Sequence, residues 1–320
     1  MDTQAPQTSD PQTSDPQTSD SQTSASEIPA SRIPAPQVHS LVCFGAHPGA
    51  GNPALVIEGA APDAAARQAF ARERGVTCVF IDQDGVDANG AQARIDYFYP
   101  HMRSPLCLHA TLAVAAVLFA RRDSVADPVA DSVETIAVDT AMHGQRLVLS
   151  REDGEHGTDY FVRLSAQPAP AVGATPALAA RLLGVPESVL PACPRVASVG
   201  SPKLLVQVAD LDALYALAPD LHGIANWSKA NGINGIYAWC RRADGDVEGR
   251  NFNHLEPTLE DSATGVAAGA LGVALGMTPG QVLALRQGRA TGRDCLIRAR
   301  MEGGALLVGG AAEWQGGQNG

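Results

Sequence analysis

CLHATLAVAAVLF at residues 107–119 and DSATGVAAGALGVAL at residues 261–275 decide the fold. Each has helical length and is apolar on nearly every face, with polar side chains gathered at its start. These are His109 and Thr111 in the first, Asp261, Ser262 and Thr264 in the second. A helix without a polar face must be surrounded by protein, most simply by a curved sheet. One such helix in each half of the chain predicts two pseudo-equivalent halves. A buried helix start leaves N–H groups without intrahelical partners and carries partial positive charge, a receptor for a carboxylate. Two such starts aimed at one cleft predict a small-acid site approached from both sides.

Around these helices the chain reads as short strands with a few further helices. Strand-like runs at 41–44, 54–57, 76–81, 93–99, 135–138, 146–149 and 160–164 come first. Residues 62–74 place Pro early, acid next and Arg late, as in a helix that complements its dipole. A Pro/Ala-rich linker at 167–174 leads to helices at 176–183 and 211–217. Strands follow near 195–199, 204–208, 235–240, 294–300 and 305–308. In the first 37 residues the pentad PQTSD recurs from Pro6 to Asp20. With almost nothing apolar to bury, this tail cannot offset the entropy of ordering and is expected to be disordered. The division is therefore tail 1–37, N-terminal half 38–166 and C-terminal half 167–320.

The 320 residues carry 23 basic and 34 acidic side chains, a formal net charge of −11. That balance argues against nucleic acid or an anionic membrane as partner, and the low aromatic content, 5%, against a base-stacking surface. Six cysteines lie scattered without a CxxC pair, which fits neither a disulfide scaffold nor a structural zinc site. There is no signal-peptide pattern and no apolar run of the ~20 residues that span a bilayer. The expectation is a cytoplasmic protein acting on a small molecule.

Several motifs, in order, resemble those of the phenazine-biosynthesis isomerase (PhzF-like) family, which belongs with diaminopimelate epimerase and proline racemase. Gly51-Asn52-Pro53 is similar to its early GNP motif, and IDYFYPHMRSPLCLHA at 95–110 to its strand, turn and helix start. Gly200-Ser201-Pro202, Pro219-Asp220 and Arg250-Asn251-Phe252 fit further motifs. EDSATGVA at 260–267 resembles the EDxATGxA signature, the most specific of the set. The resemblance implies an α/β (α+β) fold of diaminopimelate epimerase type: two domains, each a mixed β-sheet rolled around a central helix. It also implies a homodimer and proton transfer on a small carboxylic or amino acid between the domains, with no metal and no coenzyme.

Residue by residue, Asp261 matches the family's catalytic Asp and His109 the His at its helix start. Each also has a structural reading, Asp261 as an N-cap and His109 as a buried imidazole bonded to backbone. Asn52, Ser262, Thr264 and Gly265 are the candidate substrate-binding residues. Three positions depart from the pattern. The family's acid/base Glu has no counterpart in Gly75-Val76-Thr77-Cys78-Val79-Phe80, where either Thr77 or Cys78 takes its place. A thiol can carry a proton if its pKa is lowered, which makes Cys78 the candidate. Leu108 replaces a Gly and narrows the pocket, and Arg103 stands where an acid is usual.

A second register pairs Cys107 with Ser262, at the positions of the two catalytic cysteines of the epimerase and racemase branches. That pairing describes a racemase, epimerase or dehydratase. A third reading is a degenerate relative that binds a small acid without turning it over.

Overall fold

Two helices with no polar face need a sheet long enough to enclose both, and sixteen strands among the described residues supply it. A computed structural model of the protein describes Met1 and residues 36–59, 63–84, 90–125, 135–155, 157–253 and 260–316; the expected tail lies almost wholly outside them. The N-terminal half runs β1 (Gln37–Cys43), β2 (Asn52–Glu58), α1 (Ala64–Arg74), β3 (Thr77–Asp84), β4 (Ala93–Phe98) and β5 (Arg103–Ser104). It continues through α2 (Leu108–Val125), β6 (Thr135–Thr140), β7 (Arg146–Gly154) and β8 (Gly157–Leu164). The C-terminal half runs α3 (Pro176–Leu183), β9 (Arg195–Ala197), β10 (Lys203–Gln207), α4 (Leu211–Tyr215), α5 (Leu221–Asn231) and β11 (Ile236–Arg241). Then come β12 (Val247–Phe252), β13 (Glu260–Asp261), α6 (Gly265–Ala274), β14 (Val282–Gln287), β15 (Cys295–Glu302) and β16 (Ala305–Trp314).

In the sheet, β1, β2, β3, β4, β6, β7, β8 and β16 are successive neighbours, and β16 pairs back onto β1 to close a ring. From β16 the sheet continues through β15, β14, β12, β11, β10 and β9. Most pairings are antiparallel, with parallel pairs at β2–β3, β4–β6, β10–β11 and β12–β14. The ring surrounds α2, whose residues from Leu112 to Phe119 are all buried, while α6 packs on β9, β10, β15 and β16. Because β16 belongs to both enclosures, residues 35–320 form one compact unit.

Strand alternation sorts side chains between two environments. On β3, Val79 and Ile81 face the core around α2. Cys78 and Phe80 face the other way, into a separate cluster with Ile57, Ala71 and Phe98 beneath α1. The helix expected over 62–74 is α1, capped by the Asp63 side chain at the Ala66 N–H and ended by Gly75 at φ 64°. On the outer face of the C-terminal half, α3, α4 and α5 cover Leu204, Val206, Ile236 and Phe252.

Among the elements whose bounds differ from the sequence reading, two bear on the site, while α5 and β14 fall where it placed no element. The first helix continues to Val125, past its apolar stretch. The second begins at Gly265, because Glu260 and Asp261 pair with Phe252 and Asn251 as β13 and Thr264 takes the N-cap position. Asp261 is therefore a strand residue ahead of the helix and not its cap. Among the described residues no helix is long and apolar enough to cross a membrane.

The glycines of α6 are a packing requirement. A Cβ at Gly269 would lie 2.8 Å from Val199 Cγ2, and one at Gly272 2.9 Å from Met277 Sδ. Gly269→Ala should gain up to ~1 kcal/mol of helix propensity and lose about 1–3 kcal/mol to overpacking. A lower melting temperature is expected; a raised one would contradict this seat for α6.

Candidate active site

The starts of α2 and α6 meet. A Cβ on Gly265 would lie 2.9 Å from both Cβ and Cδ1 of Leu108 and 3.1 Å from Phe44 Cζ. Leu108, the departure from Gly, packs directly on the start of α6, and Gly265 is the residue that leaves room for it. Phe44 is held beneath them in the left-handed region at φ 61°. For a bulky residue this is a costly conformation, of the kind that clusters at functional sites. Its backbone bonds to Ala311 on β16 and to Leu296 on β15.

Cys107 takes the N-cap position of α2, its carbonyl accepting the Thr111 N–H at 2.9 Å. Its sulfur lies 3.3 Å from Nδ1 and 3.7 Å from Nε2 of His109. Both residues are buried. Burial works against protonation of the imidazole. The neighbouring Cys107 and, after it, Asp261 outweigh that and hold the His109 pKa above its ordinary value, against a smaller opposing effect from Arg293. Tyr99 is also within hydrogen-bonding reach of Cys107. Its phenol is pushed far above its usual range, first by burial and then by the Cys107 and Asp261 charges.

Asn52, at the start of β2, joins the two sides. Its Nδ2 lies 3.4 Å from His109 Nδ1 and donates to Asp261 Oδ1 at 3.4 Å. The other carboxylate oxygen of Asp261 accepts the Thr264 hydroxyl at 2.6 Å. Thr264 thus spends its side chain on Asp261 and not on capping its own helix. Gln287, at the end of β14, clamps this turn. Its Nε2 donates to the Asp261 carbonyl at 2.7 Å and to Thr264 Oγ1 at 3.0 Å, while its Oε1 accepts the Thr264 N–H and the Tyr237 hydroxyl, each at 3.2 Å.

Asn52, His109, Asp261, Thr264 and Gly265 are therefore brought together, with Cys107 beside His109. Ser262 lies in the same turn, and its hydroxyl pairs with Thr291 Oγ1 at 2.8 Å. Cys78 is a correction. It faces α1 on the opposite side of β3, its sulfur directed to the Val76 carbonyl at 3.5 Å, and burial pushes its thiol up to about 12. Thr77 shares the other face of β3 with Val79, the face turned to the core around α2. Arg103 reaches no cleft. It forms a two-pronged ion pair with buried Asp96, at 2.8 and 2.9 Å.

The sequence reading missed Gln287, Tyr99, Lys203 and Asn251. Lys203 donates to Asn251 Oδ1 at 2.9 Å from inside the core, and burial pulls its pKa down to about 7. The available signal was a lysine opening the apolar run Leu204-Leu205-Val206 on its inward face; Gln287 carries no comparable mark. Among the described residues, no three His, Cys, Asp or Glu side chains form a group suited to a metal ion.

The profile of the phenazine biosynthesis-like protein family (PhzC-PhzF) matches residues 41–313. The chain belongs to this family. It is 32% identical over 279 residues to the uncharacterized isomerase YddE of Escherichia coli O157:H7, covering 82% of this chain and 89% of the relative. Trans-2,3-dihydro-3-hydroxyanthranilate isomerase of Pseudomonas fluorescens is 29% identical over 224 residues, 68% of this chain and 73% of the relative. The fold matches a phenazine biosynthesis protein of the PhzF family from Bacillus anthracis with a TM-score of 0.72. That match, at 21% identity, covers 87% of this chain and 96% of the other. This is an isomerase family with the mixed α/β architecture described above.

Nuclear magnetic resonance should find the His109 imidazole titrating above 6.5, with the midpoint lowered in Cys107→Ser because Cys107 is the leading upward influence. Stability from protonated His109 should be full below about pH 6.5 and lost as pH rises through the raised folded value. A wild-type midpoint below 6.5 would contradict this geometry.

Proposed function

We propose that the protein is a cofactor-independent isomerase that moves a proton within a small carboxylic or amino acid held between the starts of α2 and α6. The reading is supported above all by the contact chain His109–Asn52–Asp261, which joins two proton-carrying groups from opposite halves through one amide. N–H groups in the first turn of α6 would receive the substrate carboxylate and stabilise the negative charge that spreads onto it as the neighbouring C–H bond breaks. The displaced electron pair enters the conjugated carboxylate system. The proton passes to a side chain and is returned at another carbon, so nothing is consumed.

Asp261 orients and polarises the substrate, while His109, with Cys107 at its side, carries the proton. This pair takes the part assigned from sequence to Cys78. The Cys107–His109 contact also favours a second reading, a racemase or epimerase in which Cys107 serves one face of a stereocentre and Ser262 the other.

The test is exchange of substrate hydrogen for deuterium in D2O, using small carboxylic and amino acids that include trans-2,3-dihydro-3-hydroxyanthranilate. Asp261→Asn and His109→Gln should each slow exchange at least ~100-fold, chelators should have no effect, and Cys78→Ala should stay within about twofold of wild type. Loss of exchange in Ser262→Ala as complete as in Cys107→Ala would favour the racemase. No exchange with any acid would overturn catalysis.

A further inference from the structure

The chain has two lysines among its 23 basic residues. Lys229 is exposed near the end of α5, whereas Lys203 is 1% exposed at the start of β10. A sequence that otherwise uses arginine has placed a lysine where a cation is hardest to hold. Arginine stays charged at any ordinary pH, whereas a buried lysine can give up its proton. Near-exclusive use of arginine elsewhere makes this position a candidate for a cation that must be able to titrate.

The surroundings connect it to the site. Lys203 donates to Asn251 Oδ1 at 2.9 Å, and Asn251 is directly opposite Asp261 in the β12–β13 ladder, so the two side chains share a face. Asn251 is fully buried, and among the described residues its Nδ2 has no hydrogen-bond partner. Each element packed around Lys203 has a defined contribution: β13 presents Asp261 and β11 presents Tyr237, whose hydroxyl is committed to Gln287. From β9 comes Ala197, and the first turn of α6 contributes no charged group. Arg250 and Glu260, on the opposite face of the strands, are paired with each other at 2.8 Å. Asp261 is thus the one carboxylate among the described residues whose charge acts on Lys203, favouring the ammonium form against burial.

We propose that Lys203, bonded to Asn251 behind the site, is a positioning residue whose charge steadies the Asp261 carboxylate during isomerisation. With Lys203 charged, Asp261 binds and polarises with a cation behind it; with Lys203 neutral, that attraction is gone. The protonation state of the core behind the site thereby selects between the two conditions. Its catalytic consequence rests on the isomerase reading above, while its electrostatic part does not.

Two measurements test it. With 15N-lysine labelling there are two side-chain signals, and the one that survives in Lys229→Arg, from Lys203, should titrate near 7. In Asp261→Asn the Lys203 midpoint should fall, since its favourable carboxylate is gone; an unchanged midpoint overturns the coupling whether or not the protein is an isomerase. In deuterium exchange, Lys203→Met should remove the inflection near pH 7 and slow exchange below it about tenfold. Lys203→Arg, charged throughout, should remove the inflection while keeping the rate found below it. A uniform loss of rate in Lys203→Met with the pH profile in place would mean a merely structural lysine and overturn the proposal. If wild-type enzyme exchanges nothing while Lys203 still answers to Asp261, the isomerase reading fails, the catalytic role falls with it, and the coupling stands.

Discussion

Two helix starts are forced together in the interior, and the rest of the structure answers to that constraint. An apolar helix can be enclosed by strands along its length, but its first turn still presents N–H groups and partial positive charge. Placing two such ends against each other is unfavourable unless polar and anionic groups are supplied between them. Asn52 and Asp261 are those groups, bridged at 3.4 Å, with His109 at 3.4 Å on the far side.

The packing shows how closely the two ends depend on each other. Leu108 fits because position 265 has no Cβ, and the ring of Phe44 fits because its backbone accepts a left-handed conformation. Gln287 holds the 261–264 turn through three hydrogen bonds, freeing Thr264 to bind the Asp261 carboxylate in place of its own helix. The first turn of α6 is thereby left without a side-chain cap. The polar network behind this turn extends to Tyr237, and a second arm, from Asn251 to Lys203, lies alongside Asp261. A buried cation therefore lies behind the site, on the side away from His109.

Much of this was legible from sequence because it follows from one-dimensional signals. The all-apolar stretches 107–119 and 261–275 gave the two core helices, and their polar starts gave His109, Asp261 and Thr264. Asn52 came through its motif. What failed were distinctions that depend on strand parity and pairing. Cys78 and Thr77 are neighbours in sequence but face opposite sides of β3, and a one-residue ambiguity put Cys78 in the site. Asp261 reads as a helix cap because it precedes an apolar helix; only its pairing with Asn251 makes it a strand residue. Gln287 and Lys203 come from strands whose inward faces are otherwise apolar, so hydrophobic patterning concealed them.

The central claim, that the two helix starts form one electrostatic unit, is tested most directly by a double-mutant cycle on folding stability with His109→Gln and Asp261→Asn, which needs no substrate. At pH 6, where the imidazole is protonated, the account predicts a favourable coupling of at least about 0.5 kcal/mol, fading as pH rises through the raised His109 value. Additive effects at every pH would contradict it.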